Sequence, residues 1–220
     1  MSKVHEVKQG EHMSSIASQY GFYDFKTIWD DPNNADIKKL RDNPNVLYPG
    51  DQIYIRDKKN KEIPRPTDQS HVFKVKPPKL KLHLMVENIY HQPVASAECS
   101  LQIDGKTIKI MTDSQGYIKQ DLPLSATQAV LHIKNPETPF NDTQLTINIG
   151  HLDPVDQVSG QTARLNNLGY YAGPDQNATN EANQAMFQSA MEEFQCDQEL
   201  LVDGICGPKT QDQLKKVHGC

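Results

Sequence analysis

His5-Glu6-Val7-Lys8-Gln9 falls one residue short of the His-Glu-x-x-His helix of zinc proteases, because Gln9 stands where the second imidazole would be. The stretch also alternates as a strand does, so it presents no paired ligands on a helix face. The other histidines (His12, His71, His83, His91, His132, His151 and His218) show no metal-ligand spacing, and His83 and His132 read as solvent-facing positions of alternating strands. No Gly-x-Ser-x-Gly nucleophile turn occurs. Acidic residues are plentiful, but spacing alone marks no glycosidase pair. Cys99, Cys196, Cys206 and Cys220 form no CxxC pair. They read as free thiols in a cytosolic product, with Cys196 and Cys206 able to pair in an oxidising space and Cys99 a small core residue. The expectation is a protein without catalytic residues, metal or cofactor.

A second stretch, Leu200-Leu-Val-Asp-Gly-Ile-Cys-Gly-Pro-Lys-Thr210, concentrates turn chemistry. Asp203-Gly204 makes a tight turn and Gly207-Pro208 launches a helix, with proline at the first helical position where its missing N–H costs nothing. Leu200, Leu201 and Val202 occupy the places where a calcium loop needs acidic ligands. A phosphate loop needs a longer glycine frame ending in Gly-Lys-Ser/Thr. The loop is therefore structural, and it can still form a rim. Earlier in the chain Tyr170 and Tyr171 follow a helix-ending glycine; one reads as core and the other as exposed, and an exposed tyrosine beside the Asp203 loop could stack on a sugar or peptide.

The elements that must position these residues fall into three segments. Residues 1–57 read as strand, helix, helix, strand: Lys3 to Val7, then a turn at Gln9 to His12. Next comes a helix with Ile16, Ala17 and Tyr20 on one face and Gly21 as its cap, then a helical piece stopping at Pro32, and a strand from Gln52 to Ile55. Residues 58–71 are charged, proline-bearing and aperiodic, a linker. Residues 72–150 contain short alternating strands, with Asp104-Gly105 as a hairpin turn, and describe an antiparallel β-sandwich. Residues 151–220 read as three helices. Ala163, Leu165 and Leu168 face inward on the first and Ala182, Ala185, Met186, Ala190 and Phe194 on the second; Lys215 and Lys216 complement the dipole of the third. The fold class expected is α+β multidomain.

The 220 residues, 36% hydrophobic with 14 prolines and 12 glycines, suit two or three domains. No apolar run reaches the roughly 20 residues of a membrane helix, and the first residues carry no apolar signal core, so cytoplasmic synthesis is expected. The net charge of −5 is uneven. Residues 151–220 carry 4 basic and 10 acidic side chains, which argues against nucleic acid as a partner there.

Two segments resemble known families. Residues 3–56 resemble a LysM domain: "HEVKQGEHMSSIASQYG" follows its opening pattern, with His5 for the first aromatic, and "NVLYPGDQIYI" its close. That resemblance implies recognition of N-acetylglucosamine-containing glycan by Gly10, Glu11, His12 and Met13, opposite Asn45, Val46 and Leu47. Residues 158–217 resemble a helical peptidoglycan-binding domain, through "RLNNLGYYAG", "AMFQSAMEEFQ" and "LLVDGICGPKTQDQL"; "PDQNATNEAN" replaces the family's earlier Asp-Gly-x-Phe-Gly repeat. Tyr170, Tyr171, Asp203 and Gly204 are its candidate ligand-binding residues. The whole order resembles accessory proteins of type VI-like contractile injection machines, which implies delivery to the periplasm or secretion.

Three functions are compatible with these features. One is a non-catalytic peptidoglycan binder, taking glycan through the LysM-like segment and stem peptide through the helical one. Another is an adaptor whose modules grip a secretion spike or a toxic effector. The third is a cell-wall hydrolase.

Overall fold

A computed structural model describes residues 3–59, 62–73, 79–88, 90–134, 142–174 and 181–220. Parts of the linker (residues 60 and 61) and of the replaced repeat (residues 175–180) lie outside the described residues. The protein mixes helix and antiparallel sheet. In chain order the elements are β1 (Lys3–Glu6), α1 (Met13–Gln19), α2 (Lys26–Trp29), a 3-10 turn (Pro32–Asn34), α3 (Ala35–Leu40) and β2 (Gln52–Ile55). Then come β3 (Leu80–Met85), β4 (Glu98–Ile103), β5 (Lys106–Met111), β6 (Tyr117–Leu122), β7 (Gln128–Lys134) and β8 (Asp142–Asn148). The last three are α4 (Val158–Asn167), α5 (Glu181–Asp197) and α6 (Pro208–His218).

β1 and β2 pair as a two-stranded sheet. Between them lies one more helix than expected. α3 buries no residue, so its sequence carries no apolar stripe to announce it. Pro32 opens the 3-10 turn instead of merely ending α2.

The chain separates into two compact units, and residues 1–57 contribute to both. The first comprises Met1–Val4, Met13–Asn34 and Tyr54–Gly150. Here β3 pairs with β6, and β5-β4-β7-β8 form a four-stranded antiparallel sheet. Strict alternation decides which side chains enter the core. Cys99, Leu101 and Ile103 of β4 and Ala129, Leu131 and Ile133 of β7 are buried, and Leu101 sits opposite Leu131 in register. Ile118 and Leu122 of β6 join the same cluster, so both sheets share one core. Asp104 and Gly105 between β4 and β5 both take positive φ, as a two-residue type I′ hairpin requires. Elsewhere in this unit the buried Asn34 side chain donates to Ile28 O and Tyr54 O and accepts from Tyr54 N, tying the helical stretch to the chain at Tyr54.

The second unit comprises His5–His12, Ala35–Ile53 and His151–Cys220. Its apolar core gathers Leu165 of α4, Ala190, Met191 and Phe194 of α5, Leu214 of α6, and Tyr170. The stripe on α5 lies nearer its C-terminus than alanine spacing suggested. Ala182 and Ala185 are exposed, Met186 is half-buried, and the buried set is Ala190, Met191, Phe194 and Gln195. Alanine is compatible with either face, so it cannot fix a stripe by itself. On α4 Leu165 is buried while Ala163 and Leu168 are half-buried, and the deepest side chain beside Leu165 is Arg164. Its guanidinium donates to the carbonyls of Asp153, Gly160 and Cys220.

Candidate functional site

The Asp203 loop is built outward from one buried amide. Gln195, 1% exposed near the end of α5, accepts through Oε1 from the N–H groups of Asp203 (3.0 Å) and Gly204 (2.9 Å). Its Nε2 donates to Asp203 Oδ1 at 2.9 Å and to Ile205 O at 3.0 Å. Asp203 Oδ1 also accepts from Ile205 N at 2.9 Å, closing an Asx turn. These donors, the Ile205 N–H first and the Gln195 amide next, hold the Asp203 carboxyl below its ordinary range. Gly204 takes φ +68°, and a Cβ there would press on Gln188 Cγ and Glu192 Oε1 of α5. Asp203 and Gly204 thus shape the loop from within.

What the loop offers outward is apolar. Leu201, Val202 and Ile205 are 78%, 49% and 66% exposed. Isolated exposed hydrophobics are ordinary, but three on one short turn whose backbone is clamped from below form a rigid tip. In the sequence Leu201 and Val202 register only as residues that deny a calcium loop its acidic ligands, and Ile205 carries no signal of its own. Gly207 and Pro208 then start α6 as expected, with Pro208 at its head.

The tyrosine pair divides. Tyr170 is buried, meets Phe194 edge-on at 5.6 Å between centroids, and donates from its hydroxyl to Asp197 Oδ2 at 2.9 Å. Burial, then the Asp197 carboxylate, push its phenol well above the usual value. Tyr171 is 64% exposed.

The residues of the first turn and the 45–47 loop are mostly turned inward. Met13, Val46 and Leu47 are buried, as is His12, whose pKa is lowered by its burial against the opposing pull of Glu11. The Glu11 carboxylate accepts from Lys8 N and lies 2.8 Å from His5 Nε2. Asn45 is exposed and anchored through its N–H to Asn43 Oδ1. Gly10, at φ +86°, faces His151, whose Nε2 would lie 3.1 Å from a Cβ built there. Within the same unit the buried Arg41 makes a two-pronged pair with Asp51 at 2.9 and 3.2 Å and reaches Asp156 at 3.6 Å. Lys215 reaches Asp42 at 3.1 Å.

All four cysteines are free thiols; Cys196 is exposed, and burial pushes the Cys206 thiol up to about 11. Among the described residues, no group of three His, Cys, Asp or Glu side chains could hold a metal ion. No helix among them is long and apolar enough to cross a membrane.

Residues 156–214 match the family described as a putative peptidoglycan binding domain. No curated protein and no solved structure matches the chain. The matched segment runs from just before α4 into α6, and it contains Gln195, the Asp203 turn and the apolar tip. Its presence points to cell-wall binding.

Proposed function

We propose that this chain is a non-catalytic peptidoglycan-binding protein. The observation that carries the proposal is the Gln195-clamped loop, which holds Leu201, Val202 and Ile205 out to solvent inside the segment that matches a peptidoglycan-binding family. An apolar tip beside the Glu192 carboxylate suits a stem peptide, whose alanines offer methyl groups and whose diamino acid offers an amine. In the finer reading the N-terminal segment acts as a LysM-like module on the glycan, with the β-rich region between them as a spacer. Two weak sites on one chain raise effective affinity where both can engage. The resemblance to accessory proteins of type VI-like injection machines supports a role in such a system, with synthesis in the cytoplasm and delivery to the periplasm or secretion. Co-sedimentation of the full chain with purified sacculi tests the reading; a protein that stays in the supernatant at low and moderate salt refutes it.

One set of observations favours a second reading, in which the protein is an adaptor for a secretion spike or effector. Met13, Val46 and Leu47 are buried and Gly10 faces His151, so little of the first turn is left to touch a sugar. Stoichiometric co-elution with a purified spike protein, in the absence of wall material, would favour it.

A further inference from the structure

The first compact unit contains a cleft of about 760 Å³, within the roughly 300–1,000 Å³ of small-ligand sites. Its lining includes Phe22 and Tyr23, just after α1, Lys79, and Asp121 to Ser125, at the end of β6 and beyond. Tyr23 is 56% exposed, so a large part of its side chain is accessible to a ligand. Phe22 is half-buried, with the Lys58 ammonium 5.9 Å from its ring centre. Lys79 and Asp121 pair at 3.1 Å, and both side chains are about half exposed. Ser18 and Ser125 complete a lining that combines aromatic, aliphatic and polar side chains.

The chemistry of the lining selects among ligands. An apolar peptide side chain would strip water from the Lys79–Asp121 pair and return no hydrogen bond, which is unfavourable. A sugar ring carries an apolar C–H face for the tyrosine and hydroxyls at its edge that replace the displaced water. We propose that this cleft binds a short N-acetylated wall glycan, with one ring stacked on Tyr23 and its hydroxyls bonded to Asp121, Lys79 and the serines. The choice of a wall glycan rests on the peptidoglycan reading above. The site lies outside the matched segment, and it is separate from Gly10 to Met13 and Asn45 to Leu47.

The probe is the soluble disaccharide of N-acetylglucosamine and N-acetylmuramic acid, titrated into the full chain with amide shifts read by NMR. Saturable shifts at residues 18–23 and 121–125 are expected. Tyr23→Ala should weaken them about tenfold, the scale of a lost aromatic contact. Asp121→Asn, also at an exposed position, gives an independent variant should Tyr23→Ala misfold, and it should weaken binding as well. Absence of saturable shifts at the cleft, or wild-type titration by both variants, overturns the proposal. Sacculus sedimentation in parallel separates the two claims. Retention without cleft shifts overturns the cleft and leaves the helical loop standing, whereas cleft shifts without retention support the cleft and count against the helical reading.

Discussion

Gln195 grips Asp203 from both ends: its Oε1 accepts from the Asp203 N–H at 3.0 Å while its Nε2 donates to the Asp203 carboxylate at 2.9 Å. A buried amide with four good partners turns a short, glycine-bearing loop into a fixed surface. The exposed apolar tip therefore depends on a residue that solvent barely touches.

Gln195→Ala should accordingly destabilise the second unit by about 2 kcal/mol, because the Asp203 and Gly204 N–H groups lose their acceptor inside the loop. Chemical denaturation gives the total. Hydrogen exchange at Gly204 and Ile205 should speed up more than at Leu165, which marks the loss as local.

Gly160 should tolerate no side chain. It lies in the first turn of α4, and a Cβ there would collide with the backbone carbonyls of Asp153 and Pro154, which cannot swing aside as a flexible side chain could. Gly160→Ala should cost about 2 kcal/mol or more, despite alanine's better helix propensity. The carbonyls of Gly160 and of Asp153, which a Cβ at Gly160 would press on, are two of the three that accept from Arg164, so the variant should also raise the exchange rate around Arg164. A thermal midpoint equal to wild type would contradict this packing.

His218 should make the second unit lose stability on acidification. Burial, with a smaller push from Arg164, lowers its pKa to about 4, and its Nε2 lies 3.0 Å from the Asn167 side-chain amide, which donates to the unprotonated ring. A histidine whose folded value lies below its ordinary 6.5 contributes fully above that value. Its contribution falls as pH drops from about 6.5 toward 4, because the unfolded chain takes up the proton first. The loss is on the order of 2 kcal/mol after allowing for partial exposure. His12, lowered by its own burial, acts in the same direction, so His218→Gln should flatten only part of the slope. Urea midpoints at pH 7 and pH 4.5 for both proteins check it.

The strands were legible because alternation and burial coincide: Cys99, Leu101 and Ile103 point inward just as the pattern of β4 requires. The Asp104-Gly105 hairpin and the Pro208 start of α6 were legible for a similar reason, since few residues accept those backbone angles. The site was only half legible. Asp203 and Gly204 announce a turn, but nothing local shows that Gln195, within a run of glutamates and glutamines, is the buried member. Nothing local marks Arg164 as buried either; the fold brings carbonyls from Asp153 and Cys220 around it. Burial of a polar group is decided by partners distant in sequence, and periodicity carries no record of them.

The apolar tip is where the central claim can be tested most directly. Leu201→Ser combined with Ile205→Ser changes two exposed side chains and leaves the Gln195 clamp in place. Co-sedimentation with purified sacculi, with thermal midpoints measured alongside, should show wild-type protein in the pellet and the double variant reduced about tenfold in retention at an unchanged midpoint. Equal retention of the two proteins, or no retention of the wild type, would contradict the account.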